Sequence, residues 1–212
     1  MKKLTNTEYE IIKESLYLSQ NVTDYPTDDE IDTILKKLKD FIKVKSDKPK
    51  VTIFSDGSCI RNPDGPGGYG VIVYHLDEDD NVTSKEEFAN GFDITTNNRM
   101  EMMGVIEGLK SLSEPCDVLI VSDSSYVIKA FQNKWIDKWL NNDWKTSTGT
   151  DVKNKDLWEL LLSLMERHNT KFKWVKGHNG NLENERCDFL ANTFAHDKDK
   201  LVKKDDGIYY EK

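Results

Sequence analysis

Apolar residues in the first 42 positions recur at helical spacing, with polar residues between them. Two segments there, Thr7–Glu10 and Thr27–Glu30, carry the Thr-x-x-Glu pattern of a helix-capping box, and apolar residues follow each of them three or four positions apart. This pattern predicts two short amphipathic helices in residues 1–42, and the polar residues 43–50 predict a linker. Because such a pair buries little surface alone, we expect its apolar faces to dock on the following domain or on a partner.

From residue 51 onward the pattern predicts an α/β domain. Short runs rich in β-branched and aromatic residues predict strands at 51–54, 69–76, 88–94, 118–121 and 171–175, with a Gly-rich turn at 64–68. Helical patterns occupy 98–112, 125–132, 154–168 and 183–195, and a Trp-rich stretch follows the second of them. Three strands in succession, followed by alternating helices and strands, predict a five-stranded mixed sheet flanked by helices.

The composition limits what this domain can do. The chain has 212 residues and a formal net charge of -8. No apolar run approaches the ~18 residues of a membrane helix and no signal core begins the chain, so we expect an intracellular, cytoplasmic protein with no membrane partner. The cysteines, Cys59, Cys116 and Cys187, show neither disulfide nor zinc spacing, which predicts buried structural side chains. Taken alone, the acidic charge argues against a nucleic-acid partner, because phosphates are bound mainly by Lys and Arg.

Two matching segments each place a carboxylate after a predicted strand. Val51–Ser58 ends in Ser-Asp-Gly-Ser, and Val118–Ser125 ends in Ser-Asp-Ser-Ser. If the two strands are parallel neighbours, Asp56 and Asp123 lie about 5 Å apart at the edge where α/β sheets collect ligands. Either residue alone could instead be a turn residue or a helix cap. Two carboxylates this close raise each other's pKa unless a cation lies between them, so the pair favours a metal site.

Two predicted helices add further carboxylates. Glu101 lies on the apolar side of its helix, although a glutamate at the helix edge could also extend to solvent. Asp188 precedes Ala191 and Ala195 by one and two turns, and these small residues allow the helix to approach the sheet closely. Oxygen ligands alone suit Mg²⁺ or Mn²⁺ rather than Zn²⁺, and two such ions about 4 Å apart form a clamp for phosphodiester hydrolysis.

Seven motifs in one order carry a resemblance to a known family. They are DGSC (56–59), GPGGYG (65–70), TTNNRMEM (95–102), SDSSYV (122–127), VKNKDLW (152–158), WVKGHNG (174–180) and NERCDFLA (184–191). Together they make residues 51–212 resemble type 1 ribonuclease H. The resemblance implies a ribonuclease H-like fold and a partner, the RNA–DNA hybrid, whose RNA strand is cut with two Mg²⁺ ions to leave 5′-phosphate and 3′-hydroxyl ends, with Mn²⁺ as a possible substitute.

The resemblance also implies roles for five residues. Asp56 would bridge both metal ions, Glu101 and Asp123 would serve the leaving-group side, and Asp188 would serve the side of the attacking water. His178 matches a loop histidine of the family, and its ordinary pKa of about 6.5 lets it move a proton at neutral pH.

Substrate contacts follow from the same resemblance. Asn62, Asn98 and Ser125, together with Glu101, would face the 2′-hydroxyl groups that distinguish RNA from DNA. On the DNA strand, Thr96, Asn98 and Asn154 resemble phosphate-binding positions, and Trp135 resembles an aromatic wall against deoxyribose. Trp139 and Trp144 are predicted to pack within the domain.

The chain departs from the family pattern in two places. Asp64 is an extra residue in the turn after Asn62, which could shift that contact. Bacterial members of the family carry basic residues between the second and third of the tryptophans at 135, 139 and 144, where this chain has LNND at 140–143. The absence of these basic residues predicts weaker binding of the hybrid or a grip supplied elsewhere.

Residues 1–50 do not resemble the hybrid-binding module that some relatives carry at the N-terminus, since they contain no Arg and no Trp. We expect the helical pair to bind a protein partner or to associate with a second copy. Two other functions stay open for the main domain: a non-catalytic hybrid-binding or scaffold protein that retains the fold, or the nuclease part of a reverse-transcription system.

The acidic charge is unevenly distributed. Residues 77–87, predicted to form the turn between the second and third strands, hold six acidic residues and one Lys, whereas residues 126–160 hold six Lys against five acidic residues. Four more acidic residues are the expected metal ligands, whose charge bound cations would offset. We therefore expect hybrid binding that is weak and sensitive to salt, rather than no binding.

Overall fold

The computed structural model of the protein describes residues 6–23, 26–41, 46–197, 199 and 201. These residues form two compact units that divide between Lys48 and Pro49. The predicted domain limits, 1–42, 43–50 and 51–212, stay a prediction; residues 42–45 and 202–212 lie outside the described part of the chain. No helix among the described residues has both the length and the apolar character to cross a membrane.

The first unit is a pair of helices, α1 (Asn6–Thr23) and α2 (Asp28–Phe41). The Glu30 carboxylate accepts hydrogen bonds from the backbone N and the hydroxyl of Thr27, both at 2.9 Å, so the glutamate half of the capping box before α2 is confirmed. Thr7 lies inside α1, and the capping box predicted there does not mark the start of that helix.

A small apolar cluster joins the two helices. Tyr9, Ile31 and Leu35 are buried, and Leu16 and Tyr17 pack against them. Among the side chains that the structure describes on these helices of 18 and 14 residues, these three form the buried core. Tertiary packing supplies most of the stability of such helices, and this cluster is the packing that joins α1 to α2.

The second unit is built on one five-stranded sheet in the order β3-β2-β1-β4-β5. Its strands are β1 (Lys50–Cys59), β2 (Gly65–Leu76), β3 (Val82–Thr95), β4 (Asp117–Ser122) and β5 (Asn169–Trp174). β1, β2 and β3 pair antiparallel, whereas β1 pairs parallel with β4 and β4 with β5. The predicted mixed sheet is confirmed.

Within residues 49–197, five helices accompany this sheet: α3 (Asn97–Lys110), α4 (Ser125–Gln132), α5 (Trp135–Leu140), α6 (Lys155–Met165) and α7 (Leu182–His196). Side chains from the sheet, α3, α4 and α6 form the main core, and its largest fully buried member is Trp158. Because side chains alternate along a strand, Val71 and Val73 of β2 face this core, whereas Gly68 and Gly70 face α7 on the other side.

Glycines let two helices approach the sheet closely. A Cβ at Gly57 of β1 would overlap the backbone of Met100 and Glu101 in α3. A Cβ at Gly70 of β2 would overlap the carbonyl oxygen of Cys187 in α7. The two helices that carry Glu101 and Asp188 therefore pack directly against the backbone of the sheet, and only glycine leaves room for them at these positions.

Several boundaries differ from the predicted ones. β1 continues to Cys59 because β2 stays paired with it that far, so Asp56 lies within a strand rather than after one. The Gly-rich residues 65–68 belong to β2 and not to a turn, and β3 already begins at Val82, which shortens the acidic turn to 77–81. Part of the Trp-rich stretch forms α5.

Candidate active site

Asp56 and Asp123 come from neighbouring parallel strands. The β1–β4 ladder runs from Lys50 opposite Asp117 to Phe54 opposite Val121. Continued by two residues, the same register sets Asp56 opposite Asp123, which directly follows the last residue of β4. The predicted neighbour relation of the two strands is thus confirmed, at the carboxyl end of their ladder.

Asp56 is a buried carboxylate with unfavourable surroundings. Its side chain is 8% exposed, and its Oδ1 accepts a 2.7 Å hydrogen bond from the backbone N of Gly57. Burial first, and then the negative charges of Asp123, Asp188 and Glu101, raise the pKa of Asp56 to about 8, against the opposing effect of the Gly57 bond. The other three predicted carboxylates therefore all act on Asp56.

Glu101, in the first turns of α3, is held by two side-chain donors. Its Oε1 accepts from Nδ2 of Asn97 at 2.9 Å, and its Oε2 accepts from Oγ of Ser124 at 2.5 Å. Burial raises the pKa of Glu101, as does Asp123, while the two hydrogen bonds oppose the rise. Ser124 also caps α4 by accepting from Val127 N, so one hydroxyl links the start of α4 to Glu101.

Asp123 is oriented by α7. Its Oδ2 accepts a 3.2 Å hydrogen bond from Nδ2 of Asn184, and its backbone carbonyl accepts from Nε1 of Trp174 at 3.0 Å. The loop after β5 also passes close, since a Cβ at Gly177 would overlap Oδ2 of Asp123. The Oδ1 of Asn184 is buried without a hydrogen-bond partner in the described part of the protein.

Asp188 lies on α7, and its Oδ1 accepts a 2.6 Å hydrogen bond from Nδ2 of Asn192, one turn further along the helix. Asn192 in turn accepts a 2.7 Å hydrogen bond at Oδ1 from the hydroxyl of Ser58 in β1. Asp188 is thus connected through one side chain to the strand that carries Asp56.

The four carboxylates fit a divalent cation by their chemistry. In the described part of the chain, no group of three or more His, Cys, Asp or Glu side chains is arranged so that it could hold a metal ion. However, three of the carboxylates, on α3, at the end of β4 and on α7, add to the electrostatic cost of ionising the fourth, Asp56 on β1. A bound cation would remove that cost, because it reverses the sign of the interaction.

His178 lies in the loop between β5 and α7. Its side chain is exposed and its backbone φ is +49°, in the left-handed region. Gly177 before it approaches Asp123, and Gly180 after it has a φ of +78°. The loop therefore passes close to Asp123 at Gly177 and leaves the neighbouring His178 side chain exposed.

The predicted polar substrate residues occupy three places. Asn62, Thr96 and Asn98 surround the start of α3: Oδ1 of Asn62 accepts from Asn97 N at 3.2 Å, Thr96 is the N-cap, and Asn98 is exposed. Ser125 is exposed at the first residue of α4. Asn154 precedes α6 and donates from Nδ2 to the hydroxyl of Tyr126 at 3.1 Å.

Trp135 lines an open groove of about 610 Å³ on the α5 side of the domain. Two lysines are among its other lining residues, which are Lys138, Trp139, Asn141, Asn142, Lys145, Thr146 and Ser147. Trp139 packs on Trp158 with ring centroids 5.5 Å apart, and Trp144 lies 6.4 Å from Trp139, so both tryptophans are part of the packing.

The sequence reasoning missed the side chains that orient the carboxylates, namely Ser58, Asn97, Ser124, Asn184 and Asn192. One signal was available, because Asn97 and Asn192 each stand four residues from the carboxylate they hold, the spacing of helical neighbours. Ser58 and Ser124 contact residues far away in the chain, and no local pattern indicates them.

The comparisons with known proteins agree on this domain. The sequence model of the family described as RNase H matches residues 48–196. A ribonuclease H of Lachnoclostridium phytofermentans is 50% identical over 146 residues, covering 69% of this chain and 92% of the relative. Ribonuclease HI of Synechocystis sp. is 45% identical over 158 residues, covering 74% and 94%.

The solved structures agree as well. The crystal structure of LC9-RNase H1, described as a type 1 RNase H with the type 2 active-site motif, matches with a TM-score of 0.62 and 29% identity, over 70% of this chain and 72% of that one. The ribonuclease H-like fold and the type 1 resemblance predicted from the sequence are thereby confirmed over the matched segment. With its five-stranded sheet, its four carboxylates and these relatives, the chain belongs to the ribonuclease H family of hydrolases.

Proposed function

We propose that this protein is an endoribonuclease that hydrolyses the RNA strand of RNA–DNA hybrids and leaves 5′-phosphate and 3′-hydroxyl ends. The observation that supports it most is the buried Asp56, surrounded by three more carboxylates in a chain of this family. A buried carboxylate whose pKa is raised by its neighbours is a frequent mark of a functional site. The family generally uses divalent metal ions, and the oxygen-only donor set suits Mg²⁺, with Mn²⁺ as a substitute.

Two Mg²⁺ ions would supply charge stabilisation at the scissile phosphate and a more acidic water. Asp56 would contribute an oxygen to both ions, Glu101 and Asp123 to the leaving-group side, and Asp188 to the water side. Since Asp56 holds a proton below a pH of about 8 in the metal-free protein, it must release that proton when it becomes a ligand. Asn184 keeps the Asp123 carboxylate turned toward the site.

His178 would move a proton during the reaction. Its side chain is exposed on a loop that approaches Asp123 at Gly177, so it is open to exchange a proton with a phosphate oxygen or with the leaving 3′-oxygen. Replacement by Ala should therefore slow cleavage more than it weakens hybrid binding.

The polar residues around the carboxylates would bind the hybrid. Asn62, Asn98 and Ser125 would face the 2′-hydroxyl groups of the RNA strand, which only RNA offers. Thr96, Asn98 and Asn154 would contact phosphates of the DNA strand, and Trp135 in its groove would pack against deoxyribose.

The decisive experiment compares three substrates and two variants. Purified full-length protein is incubated with Mg²⁺ and a labelled RNA–DNA hybrid, duplex RNA or single-stranded RNA. We expect only the hybrid to be cut, and Asp123→Asn to lose this activity. Asp117→Asn is the matched control, because it makes the same change at the opposite end of β4. Binding without cleavage by the wild type would favour the non-catalytic scaffold, and undiminished cleavage by Asp123→Asn would contradict the assigned site.

We also propose that the N-terminal helices mediate self-association. Ile11 and Leu18 of α1 are 57% and 65% exposed and stand seven residues apart, on one face of the helix. Sedimentation of full-length protein should show a concentration-dependent dimer that Ile11→Ser with Leu18→Ser abolishes while hybrid cleavage persists. A monomer at every concentration would refute self-association, and loss of salt-sensitive hybrid binding in the double variant would instead indicate a substrate-binding role.

We also propose that the protein is located in the cytoplasm. All three cysteines, Cys59, Cys116 and Cys187, are free thiols, which suits a reducing compartment such as the cytoplasm.

A further inference from the structure

Asp188 is held by a chain of two hydrogen bonds that ends on the sheet. Asn192 donates from Nδ2 to Oδ1 of Asp188 at 2.6 Å and to the backbone carbonyl of Asp188 at 3.0 Å. The hydroxyl of Ser58 donates to Oδ1 of Asn192 at 2.7 Å. Three side chains from α7 and β1 therefore form one connected path.

The chemistry of the groups fixes the direction of this path. An ionised carboxylate only accepts hydrogen bonds, so the amide NH₂ of Asn192 must be the group that faces Asp188. The amide oxygen then faces Ser58, whose hydroxyl supplies the proton. Because both ends of the Asn192 amide are used, the amide cannot rotate without losing a hydrogen bond at each end.

The position of Ser58 connects this path to the other carboxylates. Three successive residues of β1 contribute to the site. Asp56 supplies a carboxylate, Gly57 packs against the backbone of α3 at Glu101, and Ser58 donates its hydroxyl to Asn192. The close approach of α7 to Gly68 and Gly70 brings Asn192 within reach of Ser58. The Asp188 carboxylate is thus aligned relative to the strand that carries Asp56.

We propose that Asn192 and Ser58 are positioning residues that set the orientation of Asp188 and, through it, the affinity of the site for a divalent cation. The inference rests on the proposed function, in which Asp188 is a metal ligand. Asp188 is only half-buried, so without Asn192 its carboxylate can turn toward solvent. Residues that orient metal ligands in this way commonly change metal affinity by about 10- to 100-fold.

The test uses the full-length protein and four variants: Asn192→Ala, Ser58→Ala, the double variant, and Thr193→Ala. Thr193 is the matched control, because it is the next residue of α7 and its hydroxyl donates to the Phe189 carbonyl of the same helix. Mg²⁺ binding is measured by calorimetry without substrate, and hybrid cleavage is measured across a Mg²⁺ titration. Thermal unfolding in EDTA checks that each variant is folded.

We expect Asn192→Ala to raise the Mg²⁺ dissociation constant, and the Mg²⁺ concentration for half-maximal cleavage, by about tenfold. The maximal rate at saturating Mg²⁺ should change far less. Ser58→Ala should raise the Mg²⁺ dissociation constant and the Mg²⁺ concentration for half-maximal cleavage by about threefold, since it removes one neutral hydrogen bond from the path. The double variant should be no worse than Asn192→Ala, because both act through the same carboxylate, and Thr193→Ala should match the wild type.

Unchanged Mg²⁺ binding in folded Asn192→Ala would overturn the proposal, and so would additive effects of the two substitutions. If Asn192→Ala does not fold, Ser58→Ala decides alone: unchanged Mg²⁺ affinity overturns the proposal, and a weakened affinity with an unchanged unfolding temperature supports it. Calorimetry separates this inference from the proposed function, because wild-type protein that binds Mg²⁺ but fails to cut the hybrid contradicts only the latter.

Discussion

At the scale of single residues, Asp56 differs from the other carboxylates in its donors. Glu101, Asp123 and Asp188 each accept from at least one side-chain amide or hydroxyl, whereas Asp56 accepts from the backbone of Gly57 in the hydrogen bonds of the described residues. Burial and three like charges then keep its pKa at about 8. The residue proposed to bridge both cations is therefore costly to ionise in the metal-free protein, and a bound cation would offset that cost.

This pKa predicts how the stability of the metal-free protein depends on pH. Folding raises the pKa of Asp56 from an ordinary 3.8 to about 8, so the folded state keeps a proton that the unfolded state loses. Stability from this group is present below about pH 4 and is lost as the pH rises to about 8. Since one unit of pKa corresponds to about 1.4 kcal/mol, Asp56→Asn should stabilise the protein by at least about 2 kcal/mol at pH 8 and little at pH 4.

Urea unfolding in EDTA at both pH values measures this difference. Asp79→Asn, in the exposed turn before β3, removes an equal charge and should show no such gain. Added Mg²⁺ should stabilise the wild type and not Asp56→Asn. Equal stability of wild type and Asp56→Asn at pH 8 would show that ionisation of Asp56 does not destabilise the folded protein.

Ser124 and Ser125 are neighbours with separable roles. Ser124 is 2% exposed, caps α4 and donates to Glu101, whereas Ser125 is exposed and proposed to contact RNA. Ser124→Ala should lower the free energy of unfolding by about 1 kcal/mol through the lost cap and should weaken metal binding. Ser125→Ala should leave stability unchanged and raise KM for the hybrid. Unfolding curves and steady-state kinetics of both variants check this, and an equal loss of stability in both would contradict it.

At the scale of elements, glycines determine where the helices lie. Gly57→Ala would drive a Cβ into the backbone of Met100 and Glu101, which cannot move without shifting the first turns of α3. We expect a loss of about 1 to 3 kcal/mol in stability, and loss of cleavage because Glu101 is displaced. Circular dichroism melts and the hybrid assay measure both effects.

Gly149→Ala is the comparison for this variant. Gly149 has a φ of +80° and open space around it, so the substitution costs only local backbone strain of about 1 kcal/mol. Its cleavage rate should equal that of the wild type. If Gly57→Ala also cleaved normally, the close packing of α3 on β1 at Gly57 would not control the position of Glu101.

The strands and their order were accessible from sequence to different degrees. The β-branched runs of β1, β2 and β4 identified these strands, and the matched motifs around Asp56 and Asp123 identified the edge where they end. The boundaries were less accessible, because β1 extends to Cys59 only through its pairing with β2. The orienting contact of Ser58 with Asn192 spans 134 residues, so it exists only after α7 has docked on the sheet.

At the scale of the whole molecule, the acidic charge is separated from the site. The turn at 77–81 joins the ends of β2 and β3 next to Lys50, whose Nζ contacts Asp80 at 2.6 Å. Lys50 and Asp56 are six residues apart on β1, or about 20 Å along an extended strand. This distance is about two and a half times the screening length at physiological salt. The acidic turn should therefore weaken hybrid binding little, and the lack of basic residues at 140–143 should weaken it more.

Adding charge at two places tests which of these regions controls affinity. Leu140→Lys with Asn141→Lys places two positive charges beside the groove that Trp135 lines, and Leu140 is 51% exposed, so the change is tolerated. Asp79→Lys raises the net charge by the same amount in the remote turn. Both are made in an Asp123→Asn background, so that the hybrid is bound and not cut, and fluorescence anisotropy is followed from low to physiological salt.

We expect the wild-type groove to bind weakly, with affinity falling steeply as salt rises, because the few Lys–phosphate contacts are its main attraction. The double Lys variant should bind more tightly at low salt and steepen the slope of log K against log[salt] by about 1 to 2, since each new phosphate contact adds about 0.9. Asp79→Lys should leave the slope unchanged, because a charge so far from the groove releases no counterion from the hybrid. Equal gains from both changes would mean that net charge alone sets affinity, and a wild-type affinity that is insensitive to salt would mean that the hybrid is held by contacts other than phosphates.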